Sequence, residues 1–286
     1  MFIKLHLSRI LKLFDILKST ILIFVIAFPI NATAQYGKEK PVKEGWSITV
    51  GSGAIYAPSY LGDDDYRLSA VPSIRFSYED KFFASVQEGI GYNVFKDQNW
   101  RIGPIVRYDF GRDEDKGGAF NVGGSDTNDL LGLGDVDGTV ELGSFIEYNL
   151  RPISAKLEVL RGLGGHEGLV ANASLSFKAG ARLMGKTVIY SLGPNIKIVD
   201  SDYNQTYFGV NATQSAASGL AQYNADAGIL SYGFGGTAII PMDENVSMVI
   251  FANYKRLGDE AADSSLVSQR GSANQGTMGL FVNYTF

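Results

Sequence analysis

From Trp46 to the C-terminus the chain repeats one pattern. Apolar and polar residues alternate with a period of two over segments of roughly ten residues, separated by turns and loops rich in Gly, Asp, Ser and Pro. A period of two means strands with two different environments. The closing segment, residues 276–286 (GTMGLFVNYTF), shows it well. Met278, Leu280, Val282, Tyr284 and Phe286 share one face, and Thr277, Gly279, Asn283 and Thr285 share the other. Phe281 is the single large apolar exception on the polar face. A strand that is apolar to its last residue would leave a sticky edge in a soluble domain. In a closed barrel it pairs with the first strand and no edge remains.

Ten further segments alternate in the same way. Residues 46–56 set Trp46, Ile48, Val50, Ala54 and Tyr56 against Ser47, Thr49, Gly51 and Gly53. Residues 68–78 set Leu68, Ala70, Pro72, Ile74, Phe76 and Tyr78 against Ser69, Ser73, Arg75 and Ser77. The glycine-containing stretch 81–95 reads as one strand, with Glu88 on an otherwise apolar face, at a bulge or near an interface. Strands follow at 100–110, 139–150, 153–159, 169–177, 187–199, 229–240 and 246–257. Residues 139–159 about Arg151-Pro152 make the strongest hairpin.

Residues 111–137, 200–228 and 258–273 are long connections, and the intervening turns are short. That is the outer-membrane arrangement of short periplasmic turns and longer outer loops. Eleven segments conflict with the even strand number of single-chain bacterial barrels. With the C-terminus in the periplasm, the conflict lies before Trp100. The expectation is an all-β, closed antiparallel transmembrane β-barrel of about twelve strands, with ten as the alternative.

The N-terminus fits export. Lys4, Arg9, Lys12 and Lys18 precede a short apolar run at 21–30 and the small-residue pattern Ala32-Thr33-Ala34. Residues 1–34 read as a secretory signal peptide, since the apolar run is too short to span a bilayer. Residues 35–45, with Lys38, Lys40 and Lys43, read as a periplasmic lead-in, and residues 46–286 as the barrel. Removing the leader leaves 21 Lys+Arg against 29 Asp+Glu, a net charge of −8. An acidic chain without a basic stripe argues against nucleic acid. There is no cysteine, so disulfides and a lipid-anchored Cys are excluded.

The polar faces carry Arg75, Arg101, Arg107, Lys156, Lys197 and Lys255 together with Asp109, Glu141, Glu147 and Glu158. A basic residue facing lipid at mid-membrane costs about 2–4 kcal/mol, so these charges face inward. Mixed signs suit a salt-bridged filling better than the single-sign rings of a selective pore. A soluble β-sandwich would also alternate, but explains neither the mid-strand charges nor the terminal aromatic.

Several stretches taken in order resemble the MltA-interacting protein (MipA/OmpV) family of outer-membrane proteins. They are residues 57–62 (APSYLG) with 64–67 (DDYR), 91–93 (GYN), 101–104 (RIGP) leading to Arg107-Tyr108 and 110–112 (FGR), 132–137 (GLGDVD), 164–169 (GGHEGL), 207–210 (YFGV) and the closing Tyr284-Thr285-Phe286. One departure stands in the last long loop, where 258–265 (GDEAADSS) has an extra Glu and a Ser in place of the usual Pro. The resemblance implies a barrel in the cell outer membrane, with lipid and lipopolysaccharide as surroundings. The family name implies a scaffold linking a lytic transglycosylase, which degrades murein, to a murein synthase.

Site chemistry is sparse. His166, beside Glu167, is the only histidine after residue 34. As a general base it would need partners such as Asp200, Ser201, Asp202 or Ser264, yet no Gly-x-Ser-x-Gly elbow is present. A glycine-flanked loop tip is the plainer account. The acidic groups 63–65, 113–115 and Asp135/Asp137 could hold divalent cations, but they lack EF-hand spacing and read as solvated loops. No zinc-type site can rest on one histidine without cysteine. The expectation is a non-enzymatic barrel with no catalytic, cofactor or metal residues. Its periplasmic contact surface would be the lead-in and the turns at 150–153 and 240–245. A small channel, an adhesin-like surface antigen and, behind these, a hydrolase using His166 are the alternatives.

Overall fold

The structure is a computed structural model that describes residues 45–114, 121–124, 127–183 and 185–286. The leader and residues 35–44 of the lead-in lie outside the described residues. The strands are β1 (Trp46–Pro58), β2 (Tyr66–Tyr78), β3 (Phe82–Ser85), β4 (Gly89–Tyr92), β5 (Phe95–Lys96), β6 (Trp100–Asp109), β7 (Asn121–Gly124), β8 (Thr139–Leu150), β9 (Ile153–Gly164), β10 (Leu169–Leu183), β11 (Lys186–Val199), β12 (Gly228–Pro241), β13 (Val246–Leu257) and β14 (Asn274–Thr285). Each wall strand pairs antiparallel with its neighbour, and β14 returns to pair with β1 from Thr49↔Thr285 to Tyr56↔Met278. β5 only extends β4 along β6, and β7 lies against the outer end of β2. Twelve strands therefore form the wall. Closure leaves no free edge strand in the wall, and its backbone groups pair within the sheet, as lipid requires.

The missing strand lies before Trp100, as parity demanded. The stretch expected as one strand is the hairpin β3–β4, turning at 86–88. Glu88 stands in that turn and its carboxylate pairs with Arg75, so it faces the lumen. β10 also runs on to Leu183, beyond the expected end at 177. Because β3 and β4 are so short, β4 pairs with β6 only at Ile90↔Val106 and Gly91↔Ile105. The outer end of β6 has no β4 partner in the ladder.

The wall's outward face is the apolar face read from the sequence. In β2, Leu68, Ala70, Pro72, Ile74, Phe76 and Tyr78 are exposed while the residues between them are half-buried. Aromatic pairs mark both margins. Trp46–Tyr78 and Trp100–Tyr148 lie at the short-turn end, with ring centroids 5.1 and 4.4 Å apart. Tyr56–Tyr66 and Tyr108–Phe110 lie at the other, each 5.1 Å apart. Ten residues separate Trp46 from Tyr56. At about 3.3 Å per residue and a tilt of roughly 40°, that spans about 25 Å, the height of an outer-membrane apolar band.

The lumen is filled. Phe281, the exception on the polar face, stacks inside on Phe251 with centroids 6.2 Å apart. Glycines make room for these rings. A Cβ on Gly53 would meet Phe281 at 2.4 Å, one on Gly279 would meet Phe251 at 2.4 Å, and one on Gly91 would meet Phe83 at 2.2 Å. Phe83 packs on Phe145 at 5.8 Å, beside buried Ile105 and Leu160. The inward charges pair as expected. Arg101 meets Glu147 at 3.0 Å, and Glu158 takes both Arg107 and Lys156 at 2.6 Å.

The long connections are not open loops. They contain α1 (Ser201–Phe208), α2 (Ala212–Ser218), α3 (Asp259–Ala262) and α4 (Ser265–Arg270). Side chains begin most of them: Asp200 caps α1, Asn211 forms a capping box on α2, and Ser264 caps α4. Ser265, where the family pattern has Pro, is the first residue of α4, a position that suits Pro as well. Tyr60, Leu130, Leu133, Val210, Leu220 and Leu266 join from four connections into one buried cluster. A second cluster runs from Phe208, Leu257 and Val267 down to Leu160 and Phe145. The barrel thus wears a folded cap continuous with its lumen core.

Candidate functional site

Most of the segments that carry the family resemblance meet in this cap. Tyr60, Leu133 and Val210 share the upper cluster. Arg112 donates from Nη1 to the Tyr207 carbonyl at 2.7 Å, and His166 lies edge-on to Tyr203 at 4.9 Å and near Tyr207 at 5.9 Å. His166 is no loop tip: it is fully buried. Its backbone N–H donates to Thr139 Oγ1 at 2.9 Å, and its Nε2 lies 3.5 Å from Glu141 Oε1. Neither ring nitrogen makes a hydrogen bond among the described residues.

Below the ring lies a polar chamber. Asp109 from β6 accepts from the Tyr207 hydroxyl at 3.0 Å and from the Gly111 N–H at 2.8 Å. Lys197 from β11 donates to the Tyr203 hydroxyl at 3.0 Å, with its Nζ 4.5 Å from that ring's centroid. Burial pushes both tyrosine hydroxyls far above their usual range, and Asp109 adds to both shifts. Both tyrosines stay neutral, Tyr207 donating to Asp109 and Tyr203 accepting from Lys197. A cavity of about 170 Å³ opens here, bounded by Arg107, Tyr108, Asp109, Glu141, Asn172 and Lys197. Ligand atoms of Asp109, Glu141 and His166 come within 4.8 Å of one another. Lys197 and Arg107 stand within electrostatic reach of Glu141, so the chamber already balances its carboxylates with cations.

The hydrolase partners do not converge. Asp200 is spent on the N–H groups of Tyr203 and Leu169, at 3.1 and 2.8 Å. Ser264 accepts from the Val267 N–H at 3.2 Å, and Asp202 lies 3.8 Å from Arg161. Ser201 begins α1 and is exposed. The groups that reach His166 are Thr139, Glu141 and the two tyrosines.

Asp64, Asp113, Asp135 and Asp137 are exposed, as expected of solvated loops, whereas Glu114 is half-buried and Asp63 buried. Glu114 accepts from the N–H groups of Gly132 and Gly134, both at 2.9 Å, and Asp135 accepts from the Glu114 N–H at 2.8 Å. Asp115 lies outside the described residues. Asp63 is fully buried. Burial pushes its carboxyl up to about 6, opposed by the Asp65 N–H and reinforced by Asp129, Asp65 and Asp64. Asp109, Lys197 and the two tyrosines were not singled out as site residues, nor was Asp129. Of these only Tyr207 falls in a stretch that carries the family resemblance, and the return of distant loops unites them. On the cap's outer side a hollow of about 540 Å³ is bordered by Asp135, Asp137, Gly165, Thr206 and Gln214.

A closed antiparallel barrel with a lipid-facing apolar band, a filled lumen and a folded cap defines an outer-membrane β-barrel protein. The family model described as "MltA-interacting protein MipA" matches residues 50–286, and the chain belongs to that family. Outer membrane protein OmpV of Vibrio cholerae serotype O1 is 26% identical over 256 residues, covering 84% of this chain and 86% of that protein. Putative outer membrane protein YiaT of Escherichia coli strain K12 is 23% identical over 261 residues, covering 89% and 94%. Among solved structures, an outer membrane channel from Pseudomonas putida F1 superposes with a TM-score of 0.43 at 13% identity, over 87% of this chain and 98% of that one. The NanC porin gives 0.41 at 8% identity, over 82% and 98%.

Proposed function

We propose that this protein is a non-conducting, non-enzymatic barrel of the outer membrane. Its periplasmic rim serves as a docking platform for enzymes of murein turnover, a lytic transglycosylase and a murein synthase. The observation that carries this reading is the double closure of the lumen. An aromatic and ion-pair filling lies at mid-height and a cap with its own hydrophobic core lies above it. An interior built this way supports work done by the surfaces, and the family description supplies the class of partner. The proposed contact surface is the exported chain's lead-in, residues 35–45, with the turns at 150–153 and 240–245. The short turns offer little area against the roughly 800 Å² per partner of a standard interface, so the complex is weak or uses the rim as well.

Crosslinking in intact cells, with captured proteins identified by mass spectrometry, tests the proposal. Recovery of a lytic transglycosylase or murein synthase, reduced when residues 35–45 are deleted, is the expected result. Capture only of surface ligands, through residues 200–228 or 258–273, would replace it with an adhesin-like surface role, which the ordered cap and its outer hollow favour as the second reading. Stable unitary conductance in planar bilayers would overturn the closed lumen.

A further inference from the structure

Three carboxylates from two connections meet in the cap. Asp63 and Asp64 belong to the β1–β2 loop and Asp129 to the β6–β8 loop, and one oxygen of each lies within 4.8 Å of the others. Exposure grades across the group: Asp64 is open to solvent, Asp129 is half-buried and Asp63 is 0 % exposed. Asp63 is held rigidly. Its Oδ1 accepts from the Asp65 N–H at 3.0 Å, and its backbone carbonyl accepts from Gln275 Nε2 at 3.1 Å. The same Gln275 side chain accepts from the Gly62 N–H at 3.1 Å, and Asp63 bridges to Gly271. Yet the second carboxylate oxygen, Oδ2, is sealed from solvent and makes no hydrogen bond among the described residues.

Among the described residues no basic side chain answers this charge. Among the described residues, none of the ion pairs involves Asp63, Asp64 or Asp129. The nearby Arg270 spends its guanidinium on the backbone carbonyls of Asp129 and Ser218. The Tyr60 hydroxyl donates to the Arg270 carbonyl at 3.4 Å. A buried carboxylate with neither a hydrogen bond nor a counter-ion is costly unless a ligand completes it. This is the contrast with the Asp109–Glu141–His166 chamber, where Lys197 and Arg107 already stand beside the acids.

We propose that Asp63, Asp64 and Asp129 bind a hard divalent cation of the calcium class, which fastens the β1–β2 loop to the β6–β8 loop. The donor set is all carboxylate oxygen, which suits calcium and excludes the imidazole and thiolate chemistry of zinc sites. Calcium takes 6–8 oxygens in flexible geometry. Three side chains on two loops, one of them solvent-exposed, leave the remaining positions to water. Magnesium demands a near-ideal octahedron that two separate loops supply less readily. The inference does not depend on the docking role proposed above.

The test uses the full barrel folded in detergent, freed of lipopolysaccharide and stripped with a chelator. Calcium chloride is titrated by calorimetry, and the loss of the folded, heat-modifiable gel band is followed against temperature. One saturable site per chain is expected, with half-saturation at about 10⁻⁴–10⁻³ M, the range of extracellular calcium modules, and a rise in the temperature at which the folded band is lost. Asp63→Asn and Asp129→Asn should each weaken binding by about 10–100-fold, and the surface variant Asp64→Asn, which leaves the buried framework intact, should weaken it too. Asp113→Asn, an exposed acid outside the cluster, should bind as the parent does. Magnesium at the same concentrations should bind more weakly. Absence of saturable calcium binding in the parent, or binding unchanged in all three cluster variants, overturns the proposal.

Discussion

The two ends of this barrel are built on opposite principles. At the periplasmic end the strands reverse through tight turns at 79–81, 151–152 and 242–245, and the neighbouring large side chains are exposed, among them Leu150, Ile153 and Met242. At the outer end the connections carry four helices and bury Tyr60, Leu133, Val210, Leu220 and Leu266 against one another. The wall is apolar outside and polar within, because lipid surrounds it and the backbone ladder supplies its cohesion. The cap stands in water, so it must bury apolar surface as a soluble domain does. One chain therefore uses two solvents. The cap should fail without the wall failing, whereas damage to the wall should unfold both.

Four substitutions break or sharpen that contrast, in falling order of effect. Phe208→Ala empties a site that is 1 % exposed at the junction of cap and lumen and should cost about 3–5 kcal/mol. Urea titration in liposomes reads the cost, and limited proteolysis of intact cells should show the cap opened while the heat-modifiable barrel band persists. Loss of that band would mean that cap and wall fold as one unit.

Glu158→Ala strikes the lumen filling instead. It leaves Arg107 and Lys156 without their shared carboxylate, and Glu158 is 4 % exposed, so about 3–5 kcal/mol should be lost. Here the whole barrel should melt earlier, cap included. If its urea midpoint stays with the parent, the ion pairs are not part of what holds the wall.

Ile74→Arg places a charge on the lipid face of β2 and should cost about 2–4 kcal/mol. In detergent micelles of shorter chain the penalty should shrink, which separates a lipid effect from a packing effect. The smallest change is Asp200→Ala, which removes the cap of α1. Loss of about 0.5–2 kcal/mol is expected, visible as faster hydrogen exchange in residues 201–208 with the wall strands unaffected. Equal acceleration across β10 and β11 would show that the cap is coupled to the wall.

The wall was legible in the sequence because each strand reports its own environment. Every second residue of β2 faces lipid, so the face could be read without knowing its neighbours. The hairpin β3–β4 escaped because four residues are too few for a period of two to register, and parity alone exposed the gap. Phe281 broke the pattern because its partner is Phe251 across the lumen, in a space cleared by Gly53 and Gly279. The helices at 201–208 and 265–270 are too short for a period of 3.6 to register. Their caps, Asp200 and Ser264, were instead weighed as catalytic partners.

The site residues were least legible. His166 was expected at a loop tip, yet Tyr203 and Tyr207 from a connection some 40 residues on seal it. Asp63 was grouped with solvated acids, yet Gln275 from the last strand holds it inside the cap. Nothing within a few residues of either position signals burial.

By itself the sequence determined that the chain forms an antiparallel barrel, which face meets lipid, and that the charges point inward. The physical reason is that lipid leaves a backbone few choices and imposes the same alternation on every strand, however distant its partner. Only the tertiary structure decided what closes the barrel and where unpaired charge collects. Those features depend on loops that carry one or two large apolar residues each. Such residues become a core, and an aspartate such as Asp63 becomes buried, only when the closed wall brings loops from opposite ends of the chain together.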